Sequence, residues 1–153
     1  MDAIEKKLRE DIQESGWHVL NVSPGGGHPP HSYSIGLFAT FEHPEIVIFG
    51  LPGSTAQKLI DVLADDVKEG ESFEPGCRYS HVLKGYDVMF VRVAPETYQK
   101  HFGRALDYYG SVSFAVVQMV WPDRNRLYPW ESGCDPEIRK LQPVLSRPNR
   151  NNR

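Results

Sequence analysis

Ile4, Leu8 and Ile12 recur every four residues among Glu, Lys and Arg, drawing one narrow apolar stripe along a helix that Gly16 ends. The bulky and β-branched run WHVLNVS then predicts a strand. It stops at PGGGHPP, which no regular element crosses, because proline lacks a donor and glycine resists ordering. In SYSIGLF, Tyr33, Ile35 and Leu37 alternate with Ser34, Gly36 and Phe38, the period of a strand with one buried face. EIVIFGL is apolar almost throughout and predicts a central strand covered on both faces, with ATFEHP as a short hairpin-like connection before it.

After Pro52-Gly53, Ser54 and Gln57 have the spacing of a capping box, and Ala56, Leu59, Ile60, Leu63 and Val67 share one face of a helix that Gly70 closes. PGCRYSHVLKGYDVMFVRV predicts two strands around KGYD. Pro95 pre-sets the first turn of another helix, lined by Tyr98, Phe102, Leu106 and Tyr109 up to Gly110. VSFAVVQMVW is the last long strand, and Pro122 to Gly133 is irregular and rich in aromatics. Adjacent strands joined by short loops favour antiparallel pairing, so the order predicts an α+β fold with a mostly antiparallel sheet and flanking helices. No repeat or low-complexity linker divides the chain. Residues 1–145 are expected to form a single globular domain and residues 146–153 a disordered C-terminal tail.

Composition narrows the partners. With 153 residues, 40% hydrophobic and 24% charged, the chain can bury a core without staples. A net charge of -3 provides no field for a polyanion. Only the tail SRPNRNNR is locally basic, so neither nucleic acid nor a membrane is expected as partner. Cys77 and Cys134 lie far apart with no C-x-x-C, which points to reduced thiols. The charged start MDAIEKKLREDIQES has no apolar core of a signal peptide, and no apolar run reaches the length of a span. A cytoplasmic location follows as the expectation.

Most candidate chemistry fails on spacing. His28 and His31 form H-x-x-H on an extended Pro-Pro segment, where they would not share a face, and no third ligand sits at a diagnostic distance, so no metal is expected. His43 and Glu45 form H-x-E, half of the zinc nucleobase deaminase signature, but EPGCRYSH provides the single thiol of Cys77 where P-C-x-x-C is needed. Gly25 to Gly27 run into Pro29 and Pro30, which cannot start the helix that stands behind a phosphate cradle. No serine lies in a G-x-S-x-G elbow, and no catalytic residue is assigned. What stands out is MVWPDRNRLYPWESG, where Trp121, Tyr128 and Trp130 alternate with prolines and with Asp123, Arg124 and Arg126. Such a loop can stack on a planar ligand or a partner, or seal the end of the core. Tyr33, Ser34, Arg78 and His81 are polar positions on core-like strands. The candidate ligand-binding set is Tyr33, Ser34, His43, Arg78, His81, Trp121, Arg124 and Trp130.

GWHVLNV, PPHSYSIGL, HPEIVIFGLP, VWPDRNRLYPWE and QPVL, in that order from Gly16 to Leu145, resemble the bacterial family catalogued as domain of unknown function 4262. The resemblance implies no catalytic residue. The element order is also similar to that of split β-barrel flavoproteins such as flavin reductases and pyridoxamine-phosphate oxidase relatives. This implies a sheet curled into a partly open (split) β-barrel and FMN as cofactor. On that analogy Arg78 or Arg124 would neutralise the phosphate and Trp121 would stack on the ring. The first functional expectation is therefore a small-molecule or flavin-binding domain. The alternative is a non-enzymatic interaction module, immunity-type or regulatory, that buries the Trp121 to Trp130 loop on a protein partner. A homodimer is compatible with either.

Overall fold

The structure, a computed structural model, describes residues 2–147. Helix α1 (Ala3–Ser15) starts on Asp2, whose carboxylate accepts the Glu5 N–H at 2.8 Å, and stops where Gly16 turns to φ 102°. Strands β1 (His18–Val22) and β2 (His31–Ile35) pair antiparallel across the glycine loop.

The second strand is shorter than its alternation predicts. Gly36, at φ 118°, ends it, and Leu37 and Phe38 open a short helix, α2 (Leu37–Phe41), where a strand and a plain hairpin link were expected. The cause is a residue further on: the Glu45 carboxylate accepts the N–H groups of Gly36, Leu37 and Phe38 and so holds the first turn of α2.

Strand β3 (Glu45–Phe49) is buried along its whole length, as its unbroken apolar run predicts. Ile46 and Ile48 face one core with helix α3 (Gly53–Lys68), while Val47 and Phe49 face the other. The α3 stripe forms as expected, but its capping box does not. The helix begins on Pro52 with no side-chain cap, and Gln57 Oε1 instead accepts from Asn21 Nδ2 at 3.0 Å.

Strands β4 (Arg78–Leu83) and β5 (Tyr86–Arg92) form the expected hairpin. The helix after Pro95 is broken into a 3-10 turn (Pro95–Thr97), α4 (Tyr98–His101) and α5 (Gly103–Tyr109). The break falls at Phe102, whose fully buried ring meets Tyr33 and Tyr98 edge-on. Strand β6 (Val116–Val120) follows. A last helix, α6 (Pro136–Leu141), which the apolar pattern does not announce, is capped by Asp135.

The six strands make one sheet in the order β1-β2-β3-β6-β5-β4. Four of the five pairings are antiparallel, in keeping with a mostly antiparallel sheet, and β3 and β6 run parallel at its centre, so the sheet is mixed. The β4–β5 hairpin lies at the edge, so β6 enters between β5 and β3 and meets β3 in the same direction. Strands β1 and β4 are edges that do not meet, and the sheet is open. Helix α3 covers one face; α1, α4 and α5 cover the other.

Beyond α6, the Ala94 N–H donates to Leu145 O at 2.8 Å, and Arg147, placed in the tail by composition, is ion-paired with Glu96. Residues 148–153 of the expected tail lie outside the described residues. Both cysteines are free thiols. Among the described residues no helix is long and apolar enough to cross a membrane.

Candidate functional site

Three of the eight residues singled out from sequence serve the scaffold. Ser34 Oγ accepts the Ile46 N–H and therefore points its own proton at Glu45 Oε1, 2.8 Å away. His43 donates from Nδ1 to Pro44 O at 2.8 Å and accepts the Phe73 N–H on Nε2 at 3.0 Å, which uses both ring nitrogens of a neutral imidazole. Burial holds its pKa below the ordinary histidine value, in keeping with that state. Trp121 donates its indole N–H to Phe49 O at 2.9 Å, its backbone is clamped by the Gln142 amide, and its ring packs on the α3 core. Trp121 is thus tied to the central strand and remains partly buried. Arg124 is exposed, and His81 is half-exposed beside Asp66 at 3.5 Å. The residues expected to hold FMN do not assemble into one pocket.

Arg78 and Trp130 do come together. The Arg78 guanidinium lies 5.0 Å from the Tyr128 ring centroid, and Trp130 stacks on the same ring at 5.2 Å and 6°. Trp130 stays 47% exposed. The loop carrying it is built on Asp123, whose carboxylate accepts the N–H groups of Asn125, Leu127 and Asp135 and is held below the usual carboxylate range by them.

A wide concavity lies elsewhere, on the face covered by α1, α4 and α5. It is a cleft of about 530 Å³ between Ile4 of α1, Leu20 and Val22 of β1, the loop bearing His28, and Lys100 and Arg104. Tyr33 lines it, but is buried among Phe102 and His31. Burial pushes the Tyr33 phenol far up, against the pull of the Arg104 and Ala105 N–H groups.

At one end of this cleft three imidazoles meet. The His31 ring centroid stands 5.5 Å from that of His101 and 6.0 Å from that of His28, and His28 and His101 are 6.2 Å apart. His31 stacks on Phe49 at 4.8 Å and donates from Nε2 to the His101 carbonyl at 2.9 Å. That bond fixes the tautomer and leaves Nδ1 of His31 as a lone pair. Nδ1 of His31 and Nδ1 of His101 are both buried and have no partner. Burial keeps both rings below the ordinary histidine pKa, helped by the charge of His28 at His31 and by those of His31, Lys100 and His28 at His101, which lies at about 4.

Among the described residues no three side chains of His, Cys, Asp or Glu are placed to hold a metal ion. The companion of the H-x-x-H pair, His101, is 70 residues from His31 along the chain, on α4. Spacing along the chain carries no trace of that meeting.

The motifs that carry the family resemblance also find structural roles here. The Trp17 indole donates to Asp61 on α3. Gly36 packs so close to Gly16 that a Cβ would stand 2.6 Å from Gly16 O. Glu45 caps α2 and Asp123 folds the Trp-Pro loop. No curated protein and no solved structure shows significant similarity to the chain. A family model described as Domain of unknown function (DUF4262) matches residues 11–135, from α1 to the cap of α6, and the chain belongs to that family.

Proposed function

We propose that the chain is a small-molecule-binding domain whose ligand enters the cleft between α1, β1 and α4 and reaches the His31–His101 pair. One observation carries this reading: two neighbouring imidazoles that line the cleft each hold a buried nitrogen without a partner. A buried polar atom without a hydrogen bond costs about 1–3 kcal/mol, and such a cost commonly marks a group that finds its partner in a ligand or a bound water. The His31 lone pair calls for a donor, an O–H or N–H of the ligand. Leu20, Val22 and Ile4 offer surface to an apolar body. His28 lies edge-on to both rings and sits on a loop where a Cβ at Gly25 or Gly27 would meet nothing within 4 Å, so the loop has room to give way. The open sheet supplies this wall without any barrel closure.

The test is a fragment screen on tag-free protein, read by the ring ¹⁵N resonances of His31 and His101. Ligands of the cleft are expected to move both sets and to lose binding in His101→Phe. Hits that leave both rings unmoved would overturn the assignment. FMN belongs in the same titration: a colourless protein that neither quenches flavin fluorescence nor gains thermal stability with FMN removes the flavin expectation and leaves the cleft standing.

A further inference from the structure

A second concavity, of about 300 Å³, opens at the tip of the β4–β5 hairpin and is lined by Arg78, Gly85, Asp87, Pro122, Arg126 and Tyr128. Two guanidiniums reach it. Among the described residues neither forms an ion pair. Arg78 rests on Tyr128; Arg126 donates to Gly85 O at 3.1 Å and lies 5.8 Å from the Tyr86 ring. A guanidinium carries five donors, so one bond to a carbonyl or one ring contact leaves most of each fork free.

The geometry is held in advance. Tyr128 is pinned by its hydroxyl to Asp87 O at 2.7 Å and by its N–H to Glu131 at 2.8 Å, and Arg139 braces the loop by donating to Pro129 O and Glu131 O. Arg126 sits at φ 65°, a conformation that side-chain-bearing residues rarely adopt, and this aims it across the hairpin tip. Trp130, parallel to Tyr128 and half open to solvent, extends the aromatic surface outward. Asp87 is the one acid at the cavity wall, which leaves the two arginines in excess.

We infer that this cavity binds a planar aromatic compound carrying a carboxylate or a phosphate monoester. The anion would take the forks of Arg78 and Arg126, and the ring would reach outward to the exposed indole of Trp130, which stacks on Tyr128 beside the cavity. This site is separate from the histidine cleft and stands or falls apart from it.

Calorimetry and Trp130 fluorescence with four probes test it: adenosine 5′-monophosphate, adenosine, inorganic phosphate and 2-naphthoate. Adenosine 5′-monophosphate or 2-naphthoate is expected to bind and quench, whichever of the two it is naming the anion the site prefers. Adenosine and inorganic phosphate, each with half of the chemistry, should bind about tenfold or more weaker. Arg78→Gln and Arg126→Gln should each weaken the preferred probe by about tenfold, and raised salt should weaken it in the wild-type protein. Both variants alter exposed side chains, and the salt dependence needs no variant at all. The inference is overturned if no probe binds at millimolar concentration, if adenosine binds as well as its monophosphate while 2-naphthoate fails, or if both arginine variants bind as the wild type does. With no probe bound, the exposed tryptophan would pass to a protein partner.

Discussion

Tyr109 donates its hydroxyl proton to Glu45 across 64 residues of chain, and the direction is fixed, because the same oxygen already accepts the Ala39 N–H at 3.3 Å. Ser34 is committed in the same way. With the three backbone N–H groups of Gly36, Leu37 and Phe38, the carboxylate faces five donors and no acceptor. Burial pushes the Glu45 carboxyl up, while the donors, Tyr109 and Ser34 first, pull it back. A donor-only surround suits a carboxylate.

Glu45→Gln is therefore expected to be severe. The new amide turns an N–H₂ toward backbone N–H groups that can only donate, either that of Leu37 or those of Gly36 and Phe38, leaving one or two of them unsatisfied in the core. The cost should be about 2–4 kcal/mol, with α2 the first element to fray. Tyr109→Phe removes one donor of five and should cost about 1–2 kcal/mol. Urea unfolding of the two variants checks both the order and the size.

Gly36 allows a second prediction from backbone alone. It stands at φ 118°, and a Cβ there would press on Gly16 O at 2.6 Å and on the Trp17 Cα at 3.0 Å. Both contacts are with backbone and cannot rotate away. Gly36→Ala is expected to lose about 3 kcal/mol or more, well above the 1 kcal/mol or so of an unhindered left-handed site. Gly110→Ala, at φ 74° with nothing within 4 Å of the new atom, is the control, and the difference in melting temperature between them measures the clash.

Acid should destabilise this protein through its histidines. The folded-state pKa of His101 is depressed to about 4 from the ordinary 6.5, chiefly by burial and then by His31, Lys100 and His28; His31 is lowered by burial and by His28. Arg104, partly engaged by Asp2, and Asp107 complete the charged groups of the cleft. Between pH 6.5 and 4 the unfolded chain binds more protons than the folded one, so stability falls as pH drops through that window, by roughly 3 kcal/mol from His101. His31→Phe should keep the stacking on Phe49, remove one unpartnered nitrogen at the cost of the Nε2 bond to the His101 carbonyl, and release His101 from a neighbouring charge. At pH 7 its stability should stay within about 1 kcal/mol of wild type, and its loss on acidification should be smaller. Urea midpoints measured at pH 7 and pH 4.5 for both proteins decide it.

The pattern of apolar positions found what depends on near neighbours and missed what depends on distant ones. The unbroken run Glu45 to Phe49 announced a strand covered on both sides, and the α3 stripe from Ala56 to Val67 is buried as drawn. The parallel meeting of β3 with β6 was hidden, because whether a strand adds at an edge or slips between two others is decided by the edge position of the β4–β5 hairpin, not by local composition. The end of β2 at Gly36 was hidden for the same reason: the carboxylate that turns Leu37 into a helix arrives from Glu45. His31 looked like a loop histidine until α4 placed His101 against it.

The two tryptophans of the Trp-Pro loop look alike along the chain and should behave in opposite ways. Trp121 is tied by its indole to Phe49 O, a backbone group of the central strand, and its ring seals the α3 core. Trp130 is 47% exposed, and its contact is a stack on Tyr128, a ring already held by Asp87 O and Glu131. Trp121→Ala therefore opens a void and strands a buried carbonyl, for an expected loss of about 3–5 kcal/mol. Trp130→Ala gives up only part of a surface stack and should lose about 1 kcal/mol or less. If chemical denaturation shows equal losses, Trp130 is a structural plug and the aromatic shelf beside Arg78 has no ring to offer a ligand. If Trp130→Ala folds with near wild-type stability, the fold does not depend on the indole and its exposed surface stays free for the proposed ligand.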